Sequence, residues 1–301
     1  MRQYFVNDEA GRLRAGWRIL IFLILFIVVA MGIQTIIKFY AGGIPKSTPI
    51  LREALVIGIA AVAATISVFL ARRFLDKQTF ASMGLQINNR TFGDLIFGFF
   101  LSGAMAAAVF FIMLANGWIE YSGINWGGTP DAAAASSLAA TLSFVGFGSL
   151  GFFLVLHTVV SWWEEIVFRG YLLQNMIAGL GLIIAIILSC ILYGAVHAMN
   201  PNATILSSAI IVLFGFLRIF GFLATKMLWL SMGMHIGWNF FQGPIFGYPA
   251  SGHETITLVQ QSPTGPDWLS GGAFGPEGSV VTIPVIGLAI LIMWIWSRRK
   301  P

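Results

Sequence analysis

Two adjacent glutamates, Glu164 and Glu165, stand just ahead of Arg169 at the end of a strongly apolar run. Glu165 and Arg169 are four residues apart, so on a helix they share a face and can pair. Glu164 then points about 100° away, with no cation in its own turn. Two neighbouring buried carboxylates do not readily both ionise. The expected division is one carboxylate fixed as an ion pair and one left to exchange a proton, as a general base must. Two further apolar runs carry polar groups. One ends Tyr193-Gly194-Ala195-Val196-His197, and the other holds His235-Ile236-Gly237-Trp238-Asn239. His235 and Asn239 also share a helix face, where an imidazole N–H and an amide N–H can both donate to one developing oxyanion. With His197 as a second proton carrier, these groups are the parts needed to hydrolyse a peptide bond with activated water. No serine or cysteine nucleophile is required.

Each residue also has a plainer reading. The Glu165–Arg169 pair is read as structural, since an internal pair offsets its own desolvation. Glu164 alone could be a carboxylate at the lipid interface, and Asn239 an interhelical amide. His157, seven residues before Glu164, is read as structural. Trp162, Trp163, Phe168 and Trp238 are read as packing or interfacial aromatics. Glu164, His197 and His235 could alternatively hold zinc, which needs three protein ligands and one open position. No His-Glu-x-x-His pair is present, so a metal-free glutamate mechanism is favoured and no cofactor is assigned.

Polar groups of this kind need helices to carry them. The chain has 301 residues, of which 57% are hydrophobic and 10% charged, against about 25% charged in an ordinary soluble domain. A soluble fold of this size buries only roughly 75% of its unfolded surface. The composition therefore argues against a soluble enzyme, a disordered chain or a nucleic-acid-binding domain. The expected fold is an all-α polytopic membrane protein, with the polar site among its fourth, fifth and seventh helices. About 20 apolar residues are needed to span the bilayer. Eight runs qualify: 17–40, 51–71, 94–117, 143–163, 181–199, 204–222, 227–246 and 281–297. The first is read as an uncleaved span, since no small-residue cleavage site follows it. Gly/Pro/Ser-rich loops fall at 118–142 and 247–280. The single cysteine, Cys190, excludes an intrachain disulfide.

Orientation follows from the Lys and Arg flanking the spans. One side of an eight-span chain carries Arg2, Arg12, Arg14, Arg18, Arg72, Arg73, Lys77, Arg90, Arg218, Lys226, Arg298, Arg299 and Lys300. The other carries Lys38, Lys46 and Arg52, and Arg169 lies near the membrane. Both termini are expected in the cytoplasm, and in a bacterium the membrane would be the plasma membrane. The basic excess is topological and implies no nucleic acid.

The three polar segments together resemble the CAAX-protease and bacteriocin-processing (CPBP, or Abi) family of intramembrane endopeptidases. That family's pattern is Glu-Glu-x-x-x-Arg, then aromatic-x-x-x-His, then His-x-x-x-Asn/Asp, on separate helices. Glu164, Glu165 and Arg169 match the first. Tyr193, where Phe is usual, and His197 match the second; His235 and Asn239 match the third. The resemblance covers about 143–250 and implies a catalytic helical core there, between N-terminal helices and loops (1–142) and an extracytoplasmic loop with a final helix (251–301). It further implies that Glu164 activates water with help from His197, that His235 and Asn239 hold the oxyanion, and that Arg169 orients Glu165. The substrate would be a membrane-associated protein or peptide, lipidated in some family members. Two rival functions use similar parts: a proton-coupled transporter, which predicts internal symmetry that the chain lacks, and a non-catalytic immunity or scaffold protein. Glu164 and His197 are level on antiparallel helices only if the chain turns near residue 180, about 24 Å along the helix from each.

Overall fold

Long runs of Leu, Ile, Val, Phe and Ala without proline leave little choice but helix, because a backbone in hydrocarbon must satisfy its own hydrogen bonds. A computed structural model, which describes residues 6–7, 11–41, 49–126 and 146–298, has a helix in each of the eight apolar runs. They are α1 (Ala15–Ala41), α2 (Pro49–Leu70), α3 (Thr91–Ala115), α4 (Phe147–Glu165), α5 (Leu173–Leu180), α6 (Leu182–His197), α7 (Ile205–Thr225), α8 (Trp229–Phe240) and α9 (Thr282–Ser297). Among the described residues, five helical segments are long and apolar enough to cross a membrane: Ala15–Phe39, Leu51–Leu75, Thr91–Ala115, Phe147–Leu180 and Ile205–Thr225. Helices α6 and α9 are shorter but apolar. On α1, Ile24, Ile27, Val28 and Met31 are all exposed, as a lipid-facing surface would be. The chain is an integral membrane protein, built mostly of helices.

Three details differ from a plain row of spans. The fourth run continues to Leu180 through a π-helical stretch, Ile166–Leu172. Its 34 residues exceed the roughly 20 that a bilayer requires. The chain turns at Gly181, whose φ of +80° closes α5 and suits a residue without a Cβ. The expected loops also contain β-structure. Strand β1 (Ile119–Ile124) pairs antiparallel with β2 (Val259–Pro263), with an irregularity between Tyr121 and Gly123. Residues 127–142 of the first loop, the start of the fourth run, and Arg2, Lys46, Arg299 and Lys300 lie outside the described residues.

The chain folds as two units. The first comprises Met1–Ile87 and Val159–Ser189. Its polar centre is Asp76, fully buried, which accepts from Arg18 at 2.5 Å and Arg72 at 2.8 Å, with Asn175 at 3.4 Å. Phe22 packs on Tyr171 with ring centroids 4.6 Å apart. Trp162 Nε1 donates to Thr65 Oγ1 at 2.9 Å.

The second unit comprises Asn88–Thr158 and Cys190–Pro301. Its tightest packing joins α3 to α8 through glycine. A Cβ on Gly233 would fall 2.1 Å from the Leu95 carbonyl oxygen, and one on Gly237 2.2 Å from that of Phe99. Across the same seam, a Cβ on Gly98 would meet the Leu230 carbonyl oxygen at 2.6 Å. Small residues four apart allow this backbone approach between membrane helices. The N-terminus of α7 is closed by a capping box between Thr204 and Ser207. Helix α9 is tied to α3 by Trp296, which stacks on Phe97 at 3.9 Å and donates to Asp94 at 2.8 Å.

Candidate active site

The first motif belongs to the first unit. Glu164 is buried at the end of α4, and Glu165 and Arg169 are almost completely buried. Arg169 Nη1 donates to Glu165 Oε1 at 3.2 Å, so the pair expected from i,i+4 spacing is present. Arg169 lies in the π-helical stretch rather than in regular helix. Its guanidinium also lies 5.8 Å from the centre of the Phe168 ring.

The second and third motifs belong to the second unit. His197, the last residue of α6, places Nδ1 2.9 Å from the carbonyl oxygen of Tyr193. A carbonyl only accepts, so Nδ1 carries the proton and Nε2 presents a lone pair. That tautomer can take a proton from a reacting group. The His197 ring is stacked at a tilt on Tyr193, centroids 4.3 Å apart. Tyr193 is buried, and its hydroxyl accepts a short hydrogen bond from Arg218 on α7.

Arg218 is itself buried, with its guanidinium 5.4 Å from the Tyr193 ring centre and 5.9 Å from that of Phe214. This corrects the assignment of Arg218 to a flanking connection. Helix α7 runs on to Thr225, and the aromatic rings hold the charge inside it. Gly194 allows α6 to lie close against α7, where a Cβ would meet Val212 at 2.6 Å and the Ser208 carbonyl oxygen at 2.9 Å.

His235 and Asn239 lie on α8, one turn apart. Gly233 and Gly237 each precede one of them by two residues, about 200° round the helix. The glycine face is spent on α3, and the opposite face carries His235 and Asn239. Trp238 fixes the helix further: its Nε1 donates to the buried carboxylate of Glu277 at 2.8 Å, and its ring packs on Phe214 at 4.7 Å. Glu277 also accepts a short hydrogen bond from the Ser251 hydroxyl.

Two further side chains of the second unit stand out. His157 is buried, and among the described residues neither ring nitrogen has a hydrogen-bond partner. Gln242 follows Asn239 by three residues, is fully buried, and both ends of its amide lack a partner among the described residues. Buried polar groups without partners are rare and costly. His157 was legible as a polar residue in an apolar run. Gln242 gave no such signal, because a single amide after a string of aromatics looks like the end of a span. Within neither unit do three or more His, Cys, Asp or Glu side chains gather as metal ligands among the described residues.

The apolar helices of this membrane protein thus carry a Glu165–Arg169 pair, a hydrogen-bonded His197, and His235 and Asn239 on one face of α8. Residues 145–241 match the family model described as Rce1-like, type II CAAX prenyl endopeptidase Rce1-like. The matched segment contains all three motifs, and the resemblance to the CAAX-protease family is thereby shown over those residues. Among curated proteins, none matches the chain.

Proposed function

We propose that the chain is an intramembrane endopeptidase that hydrolyses a peptide bond in a membrane-associated protein or peptide. The observation that carries this is the family-model match over 145–241, the segment that holds every motif residue. In this reading the site residues are carried by the fourth, fifth and seventh apolar runs, which are α4, α6 and α8. Glu164 takes a proton from water, and the water oxygen attacks the peptide carbonyl carbon. His235 and Asn239 donate to the oxygen as it becomes negative. The tetrahedral intermediate collapses with loss of the amine, which receives the proton that Glu164 took from water, either directly or relayed through His197 Nε2. Arg169 holds Glu165 and keeps the helix end in shape. The Nδ1–H tautomer of His197 supports its role as proton carrier. The catalytic core is assigned to 143–250, between segments 1–142 and 251–301.

The mechanism is read as metal-free, with zinc on Glu164, His197 and His235 as the alternative. The substrate class includes lipidated proteins, in keeping with the family's prenyl-endopeptidase description. All eight helical runs are taken to cross the membrane with both termini cytoplasmic; in a bacterium that membrane would be the plasma membrane. Reporter fusions after residues 130 and 265 should then both read extracytoplasmic, and a cytoplasmic signal from either would refute eight crossings.

The decisive assay is cleavage of internally quenched peptides, lipidated and unlipidated, by purified protein in detergent. Cleavage by the wild type and none by Glu164→Gln is expected. A folded wild-type protein that cleaves neither peptide but drives proton-coupled uptake in liposomes would replace this reading with a transporter.

A further inference from the structure

Glu277 is buried in the second unit and has no part in the proposed hydrolysis. It sits in a 3₁₀ turn, Pro276–Gly278, between α8 and α9. Its two oxygens serve different segments. Oε1 accepts from Trp238 Nε1 on α8 at 2.8 Å, and Oε2 accepts a short hydrogen bond from the Ser251 hydroxyl.

Ser251 is bound from its other side as well. Ser251 and Gly252 are the central pair of a turn closed by Ala250 and His253, whose backbones exchange hydrogen bonds at 2.8 and 3.0 Å. Their φ angles are +50° and +84°, both positive, as in a type I′ turn. Asn, Asp or Gly is usual at the first of these positions. A serine persists there only where its surroundings hold it. The Gly252 N–H donates to the Phe274 carbonyl at 3.0 Å, and a Cβ on Gly252 would overlap the carbonyl oxygen of Pro201. The turn is thus wedged between the segment after α6 and the segment that carries Glu277. Asn200 Nδ2 donates to the Ser251 carbonyl at 3.2 Å, and the Asn200 N–H donates to the His197 carbonyl at 3.0 Å. A continuous chain of hydrogen bonds therefore runs from the end of α6 to the middle of α8.

We propose, resting on the endopeptidase reading, that Glu277 is a positioning residue that holds the His197 end of α6 and the His235/Asn239 face of α8 in fixed relation. One arm passes through Trp238, the neighbour of Asn239. The other passes through Ser251 and Asn200 to His197. The glycine seam sets how closely α8 approaches α3, whereas the hydrogen bond of Trp238 is directional and sets its rotation. Side chains reach about 5–6 Å from a helix axis, so a rotation of about 10° moves one by roughly 1 Å. A misplacement of that size can cost about 100-fold in rate.

The test uses the full chain in detergent and the quenched peptides, with rates expressed per folded molecule. Glu277→Ala should lose roughly 100-fold in kcat with KM little changed. Glu277→Gln keeps an oxygen for Trp238 and an amide for the Ser251 hydroxyl, which can turn to accept. No cation pairs with Glu277 among the described residues, so the amide strands none. Glu277→Gln should therefore recover most of the lost kcat. A Glu277→Ala protein with lower yield and melting temperature but wild-type kcat per folded molecule overturns the proposal, as does an equal loss in both variants. Hydrogen–deuterium exchange gives a reading independent of cleavage: in Glu277→Ala, amide exchange should rise at the end of α6 and in α8 together. A rise confined to α8 overturns the proposal. A wild-type protein that cleaves neither peptide counts against the endopeptidase reading, and the exchange pattern then decides the bridge alone. If Glu277→Ala does not fold, Ser251→Ala, which cuts the arm to α6, should lower kcat and raise exchange at the end of α6; no change in either refutes the bridge.

Discussion

The hydroxyl of Tyr193 accepts a hydrogen bond from Arg218, twenty-five residues away, inside an apolar region of the second unit. The same phenol ring supports the His197 imidazole. A buried guanidinium is therefore connected to a motif histidine through one aromatic side chain. Tyr193→Phe keeps the ring under His197 but takes away the acceptor. It should lower stability by roughly 1–3 kcal/mol, the usual cost of leaving a buried donor unsatisfied, while peptide cleavage falls much less. Tyr193→Ala should damage both. Combining Tyr193→Phe with Arg218→Met should cost less than the sum of the single variants, since the donor is removed with its acceptor. Melting temperatures of the four detergent-solubilised proteins provide the check.

Glu164 and Glu165 should separate in their effects. Glu165→Ala removes the carboxylate 3.2 Å from buried Arg169, and breaking a buried pair from one side costs roughly 3–5 kcal/mol. Glu164→Gln keeps the shape but cannot accept a proton. Stability should fail first in the former and turnover in the latter. A Glu164→Gln protein that cleaves at the wild-type rate would end its role as base.

His235 and Asn239 should act on kcat more than on substrate binding, because their interaction strengthens only in the transition state. Each alanine variant should lose on the order of 100–1,000-fold in kcat. The double variant should be little worse than the poorer single one, as expected of groups that act as a unit. Zinc ligation makes a different forecast: His235→Ala would lose stoichiometric metal and Asn239→Ala would retain it. Metal content of the purified wild type and both variants distinguishes the two mechanisms.

The glycines of α8 should tolerate almost nothing larger. Gly233→Ala and Gly237→Ala each place a methyl group about 2 Å from a backbone oxygen of α3, and backbone cannot swing aside as a side chain can. Each should destabilise by roughly 1–3 kcal/mol, as overpacking does, and cleavage should fall because the donor face of α8 moves with it. Gly58→Ala, which meets nothing within 4 Å, is the matched control and should leave yield and melting temperature unchanged.

What could be read from the residues alone follows a physical division. The eight helical runs are legible because apolar stretches in lipid must be helical. The Glu165–Arg169 pair is legible because helix geometry relates positions four apart. The Arg218–Tyr193 contact is not, because nothing local relates residues on different helices. A basic residue near the end of a span looks like a flank until its aromatic neighbours are known. The pairing of Ile119–Ile124 with Val259–Pro263 was hidden for a similar reason: Val259–Pro263 has no alternating pattern, and each strand's partner is far along the chain. Gln242 was overlooked because an amide becomes conspicuous only when both of its ends are found unpaired.

That ribbon has a topological consequence. Its two strands clasp the chain before α4 and after α8, so every motif residue from Glu164 to Asn239 lies on a single closed loop. The entropy of closing a loop rises only with the logarithm of its length, so fastening even so long a stretch costs little more than fastening a short one. The polar helices are thereby held as a handle is held, at two ends brought together, while α1–α3 and α9 remain outside the clasp. Loosening the backbone hydrogen bonds of the ribbon would leave each motif helix intact and release the constraint on all of them at once.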